Sequence, residues 1–281
     1  MTTDATGTPT GTPPGAPAAR GGTFTPAPGA APLPRMIAAQ AALETRMLLR
    51  NGEQLLLTVV IPTLLLVLFS AVDVIDLPGA GDAPADADGR VDFLAPGVLA
   101  LAVLSTAFTG QAISTGFDRR YGALKRLAAS PLPRWALMTA KTCSVLVIEV
   151  LQVALLTAVA LGLGWSPHGN PAAVVLLLLA GTAAFSGLGL LMAGTLRAEA
   201  TLAAANLVFL LLLVGGGVIV PLEKFPGAMR EALQLLPISA LSDGLRDVLQ
   251  HGAGVPWGAL AVLAGWAVLG LAAAARFFRW E

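Results

Sequence analysis

The chain is poor in charge. Only 12% of its 281 residues are Asp, Glu, Lys or Arg, while 56% are apolar and the mean hydropathy is +0.76. A soluble domain carries about 25% charged residues, so this composition excludes an ordinary water-coated globule and points to a polytopic membrane protein. The formal net charge is zero, which gives no electrostatic footprint for a nucleic-acid partner. The lone Cys143 excludes an internal disulfide and a CxxC metal site. His168 and His251 lie far apart in sequence, and neither has a Cys neighbour at ligand spacing, so no metal site is expected. Gly is nowhere followed by Lys, so the chain has no phosphate-binding loop of the GxxxxGK[ST] type. HExxH, GxSxG and the EF-hand pattern are absent too, and Ser186 has no helical histidine to activate it. No catalytic residue, bound cofactor or metal ligand is therefore expected.

What the chain does have is apolar runs. Six are long enough to cross a bilayer as helices, which takes about 20 residues each. They are placed at residues 55–74, 93–113, 142–163, 172–193, 201–220 and 257–277. The runs are continuous rather than alternating, which excludes barrel strands. The fold class is all-α, with residues 55–281 as a six-span membrane domain. Residues 1–34 form a Thr/Pro/Gly/Ala tract that buries too little to offset its ordering entropy and reads as a disordered tail. Residues 35–54 read as an interfacial connecting helix with Met36, Leu43 and Met47 on its apolar side.

Cations set the orientation. Thirteen of the seventeen Lys/Arg fall on the side of the N-terminus, and only Arg90, Lys224, Arg230 and Arg246 on the other. By the positive-inside rule both termini are cytoplasmic. Within the outer connection 221–256, Met229, Leu233 and Leu236 form one helical stripe. Leu241, Leu245, Val248 and Leu249 form another, so two short amphipathic helices folded back into the outer leaflet are expected. Gly215, Gly216 and Gly217 allow close helix approach or a hinge at the end of the fifth span.

The densest cation cluster is "GFDRRYGALKRLAASPLPRW", residues 116–135, on the cytoplasmic side between spans two and three. On a helix, Phe117, Tyr121, Leu124 and Ala128 form one apolar ridge, with Arg119, Gly122 and Arg126 roughly opposite and Arg120 on a flank. Pro131 and Pro133 end it. Such a helix either lies on anionic headgroups of the inner leaflet or docks into a groove on a cytoplasmic protein.

The segment resembles the cytoplasmic-loop motif of bacterial ATP-binding-cassette exporter permeases of the daunorubicin-resistance type, R-E-x-G-T-L-x-R-L…S-P-x-x-R. The matching residues are Arg119, Gly122, Leu124, Arg126, Leu127, Ser130, Pro131 and Arg134, with Arg120 where the family often has an acid and Ala123 for its Thr. "RNGEQLLLTVVIPTLLLVLF", "FLAPGVLAL" and "GGGVIVPLEKFPGAMREALQLLPISALSDGLRDVL" are similar to family stretches in the same order. The resemblance implies the permease subunit of an ATP-driven exporter in the bacterial cell membrane. It would work beside a second permease subunit, identical or a paralogue, and a cytoplasmic ATPase that holds the ATP and Mg2+. The implied cargo is a hydrophobic or amphipathic drug, and the outer helices would gate its exit. Phe117, Arg119, Arg120, Tyr121, Gly122, Leu124, Arg126 and Ala128 would then couple to the ATPase. Lipid and polysaccharide exporters share the architecture, and an ion-gradient-driven secondary transporter is the alternative from another class.

Glu149 is the one ionisable residue well inside a span. A carboxylate there costs roughly 2.5–3.5 kcal/mol on insertion scales. Glu149 and Gln111 are the candidates for a substrate path. The structural alternative is a helix–helix hydrogen bond from Glu149 to Gln152, Gln111 or Asn206.

Overall fold

The computed structural model describes residues 31–71, 87–128, 131–218 and 226–278. All regular structure among them is helical. The expected tail lies outside the described residues up to position 30, as does the acidic loop at 72–86.

The first helix, α1 (Leu33–Arg50), opens on Pro34 in its first turn, where a missing N–H costs nothing. It packs on α7 (Arg134–Gly162). The face turned towards α7 is polar. Leu43 and Met47 are exposed, and the buried residue is Glu44. The cause is a polar partner on α7, described below.

A nearly continuous rod follows: α2 (Gly52–Leu55), a π-helical stretch (Leu56–Val60) and α3 (Ile61–Ala71). Its apolar part, Thr58–Ala71, is shorter than the five helices among the described residues that are long and apolar enough to cross a membrane. Those five are Arg90–Arg120, Trp135–Gly162, Pro171–Thr195, Ala198–Gly215 and Trp257–Phe277.

The first of the five is built from α4 (Ala87–Val103), a second π-helical stretch (Leu104–Gly110) and α5 (Gln111–Arg120). It runs seven residues past the expected end at 113, because Gln111, Thr115 and Gly116 are buried in protein and so need no apolar character. After a turn comes α6 (Ala123–Ala128), then α7. α7 starts at Arg134 behind Pro133 rather than at 142, with Lys141 carried inside the fold.

The remaining helices are α8 (Pro171–Thr195), α9 (Ala198–Gly215), α10 (Gly227–Gln234), α11 (Pro237–Leu249) and α12 (Trp257–Phe277). α8 is central. A Cβ on Gly187 would lie 2.7 Å from Leu271 N, and one on Gly189 would lie 2.9 Å from Phe108 O. Bare glycines thus let α12 and the second π-helical stretch approach α8 to backbone contact. The two short helices expected within 221–256 are present as α10 and α11, but the stripe of α11 packs into the protein. Leu241, Leu245 and Val248 are fully buried among α4, α8 and α12. Gly216 admits this, since a Cβ there would lie 2.4 Å from Ile238 Cγ2.

Candidate functional site

The loop after α5 does not form the single helix expected over 117–128. α5 ends at Arg120, and Gly122 takes φ +71°, a left-handed conformation that glycine adopts without steric penalty. Tyr121 N donates to Phe117 O and Gly122 N to Arg119 O, which closes the α5 C-terminus. α6 then leaves in a new direction, and the expected ridge is split. Tyr121 is 69% exposed and stacks on half-buried Phe117, with centroids 6.0 Å apart. Leu124 is fully buried against Leu137, Leu127, Leu132 and Phe278, so it holds the loop to the protein instead of facing outward. The side chain of Ala128 lies outside the described ones.

The arginines divide in the same way. Arg119 donates to the carbonyls of Gly194 (2.9 Å) and Leu196, capping the C-terminus of α8, and Arg120 pairs with Glu199 at the start of α9. The α5–α6 loop and the α8–α9 turn are therefore one tied surface. An open cleft of about 490 Å³ between them is lined by Arg119, Arg120, Tyr121, Lys125, Arg197 and Glu199. Lys125, Arg126 and Arg197 are exposed.

Behind this surface lies a buried ion cluster. Lys141 Nζ on α7 is 2.8 Å from Asp118 Oδ2 on α5 and 3.0 Å from both carboxylate oxygens of Glu44 on α1. Gln40 Nε2 donates to Glu44 as well. From sequence alone Lys141 is only one more cytoplasmic charge. The signal available is an acid and a lysine that a helical hairpin brings face to face.

Deeper in the membrane region, Glu149 is 4% exposed, and Thr182 Oγ1 on α8 donates to its Oε2. None of the expected partners holds it. Gln152 instead donates to Thr58 O in the first π-helical stretch and accepts from Thr106 Oγ1 in the second, at 2.8 Å. One amide thus bridges both π-helical stretches. The Gln111 amide, 3% exposed, has no hydrogen-bond partner among the described residues. Glu149 and Gln111 are not brought together by any hydrogen bond.

On the other side of the fold, Arg246 of α11 donates to Val218 O at 3.0 Å and lies over the Phe93 ring, 4.3 Å from its centroid. Gly97 provides the space, since a Cβ there would lie 3.1 Å from Arg246 Nη2. Hydropathy and charge counting identify Arg246 only as an outer cation.

Among the described residues no group of three His, Cys, Asp or Glu could hold a metal ion. No curated protein matches the chain. A family model does, described as "ABC-2 family transporter protein", over residues 70–276. With a membrane-embedded helical fold under most of that match, the chain belongs to the ABC-2 family of transporter proteins.

Proposed function

We propose that this is the permease subunit of an ATP-driven exporter for hydrophobic or amphipathic drugs, of the daunorubicin-resistance type. The rod Gly52–Ala71 serves as the first of six spans, with both termini cytoplasmic, as the thirteen-to-four distribution of cations favours. The chain performs no bond chemistry. ATP and Mg2+ belong to a partner ATPase, and two permease subunits, identical or paralogous, complete the pathway. The bacterial cell membrane is the setting that the drug-exporter reading implies.

The observation that carries this reading is the tied surface at residues 116–128 and 194–199. A partner that pushes on Tyr121 and its neighbours pushes on a surface fixed to α8 and α9 by Arg119 and Arg120, and to α1 and α7 through Asp118 and Lys141. The proposed docking set keeps Phe117, Tyr121 and Arg126 and adds exposed Lys125, with Arg119, Arg120, Gly122 and Leu124 positioning the loop. ATPase closure would then change the opening of the membrane halves. The test is reconstitution with an ABC ATPase. Drug-stimulated ATP hydrolysis that requires both subunits supports the reading, and drug export that continues on an ion gradient without ATP would replace it with secondary transport.

A further inference from the structure

Two polar stripes face each other, one on α7 and one on α5 with the π-helical stretch before it. Asp118 meets Lys141 at the loop end, and Thr106 meets Gln152 at the deep end. Lys141 and Gln152 are eleven residues apart, which is about 16 Å along a helix. Between these two closed ends lies a cavity of about 20 Å³, lined among others by Thr58, Gln111, Thr115, Lys141 and Ser144.

Most of the polar groups around it are already used. The Lys141 ammonium has three donors, and Glu44 and Asp118 take them. Ser144 donates to Lys141 O, and Ser114 to Gln111 O. What remains is the Gln111 carboxamide, both Oε1 and Nε2, and the Thr115 hydroxyl. Both residues are buried, and neither of these groups has a partner among the described residues. Buried polar groups are rarely left so, because desolvation without a replacement bond is costly.

We propose that the cavity is a water site and that a bound water bridges Gln111 and Thr115. Donor and acceptor character decides the ligand. A bare cation would satisfy the two oxygens but leave the Nε2 hydrogens unmet and lie close to the Lys141 ammonium. An anion would meet the hydrogens and face Glu44. A neutral molecule that both donates and accepts answers all three groups, and the volume admits about one water. One water therefore sits in the seam beside Gln111 and Thr115, between the ion cluster and the level of the π-helical stretches. The water site stands whether or not the chain exports drugs.

Radiolytic hydroxyl labelling of the full chain in nanodiscs tests it, because radicals formed from a bound water oxidise the side chains beside it. Ile148 (5% exposed) and Val145 (4%) line the cavity, whereas Val98 (5%) and Leu94 (3%) are as buried and do not. Ile148 and Val145 should oxidise faster than Val98 and Leu94. Thr115→Val, which keeps the shape, and Gln111→Leu should each slow that oxidation and lower Tm in detergent by about 2–4 °C. Equal oxidation of Val145 and Val98 overturns the proposal. So does a Tm that holds or rises in both variants, since a dry cavity relieved of an unpaired polar group gains stability.

Discussion

Lys141 Nζ lies 2.8 Å from Asp118 Oδ2 and 3.0 Å from the Glu44 carboxylate, so one buried ammonium joins three helices. Removing it leaves two carboxylates facing each other in a site with little water. Lys141→Met should cost about 3–5 kcal/mol, the range for breaking a buried ion pair from one side. Neutralising all three, as in Glu44→Gln, Asp118→Asn, Lys141→Met, should recover most of the loss. Thermal unfolding in detergent measures both. Because Lys141 is 4% exposed, raising NaCl should change the wild-type midpoint little. A single variant as stable as wild type would remove the cluster from the account of how α1 is held.

The split ridge separates docking from folding. Leu124 is fully buried and Tyr121 is 69% exposed. Leu124→Asp should lower stability by about 2–5 kcal/mol, as the loss of a core leucine with a buried charge added. Tyr121→Asp should leave the unfolding midpoint within the scatter of surface substitutions, yet weaken co-purification of an ABC ATPase. If Tyr121→Asp retained full ATPase binding while a charge reversal at Lys125 or Arg126 abolished it, docking would rest on the cations and not on the aromatic pair.

The long helices are legible in the sequence because each is a continuous apolar run, and the period of α11 places its stripe correctly. Their ends are not. Hydropathy sees Thr115 and Asp118 as polar and stops the span at 113, but Thr115 is buried and Asp118 pairs with Lys141 of α7. The break at Gly122 is hidden because a helical wheel assigns a glycine to a face without asking for its φ. The π-helical stretches leave no periodic trace in sequence, and Gln152 acquires its role only after they form. Glu149 stands out in the sequence as a charge within an apolar run. Its partner Thr182 does not, since a hydroxyl in an apolar helix carries little signal.

The α8–α12 crossing gives a sharper test of packing. Gly187 and Gly270 face each other, and a Cβ on Gly187 would lie 2.7 Å from Leu271 N and 2.9 Å from Gly270 C. These are backbone atoms, so the helices must separate. Gly187→Ala should therefore destabilise by about 1–3 kcal/mol, against the gain of up to about 1 kcal/mol that alanine brings within a helix. Gly265, also on α12, is the control, because a Cβ there would meet nothing within 4 Å. Gly265→Ala should be neutral or stabilising in the same unfolding assay. Equal effects at the two sites would mean that α8 and α12 are not in backbone contact.

Glu149 sits at a contact between α7 and α8. It is nearly inaccessible, and Thr182 of the neighbouring helix donates to it. Its place is between α7 and α8 and not on the lining of the cavity that holds Gln111. This arrangement is that of a helix–helix hydrogen bond, in which Gln serves nearly as well as Glu. On the drug-exporter proposal, Glu149→Gln should therefore leave resistance to cationic and neutral drugs alike in cells that carry the chain with its ATPase. Glu149→Leu should lower stability by about 0.5–1.5 kcal/mol, the net worth of one hydrogen bond, with the Thr182 hydroxyl then free to donate to Leu178 O, 2.7 Å away. Loss of resistance confined to cationic drugs in Glu149→Gln would return the carboxylate to the substrate path as a counter-charge, and would require α7 and α8 to part during transport.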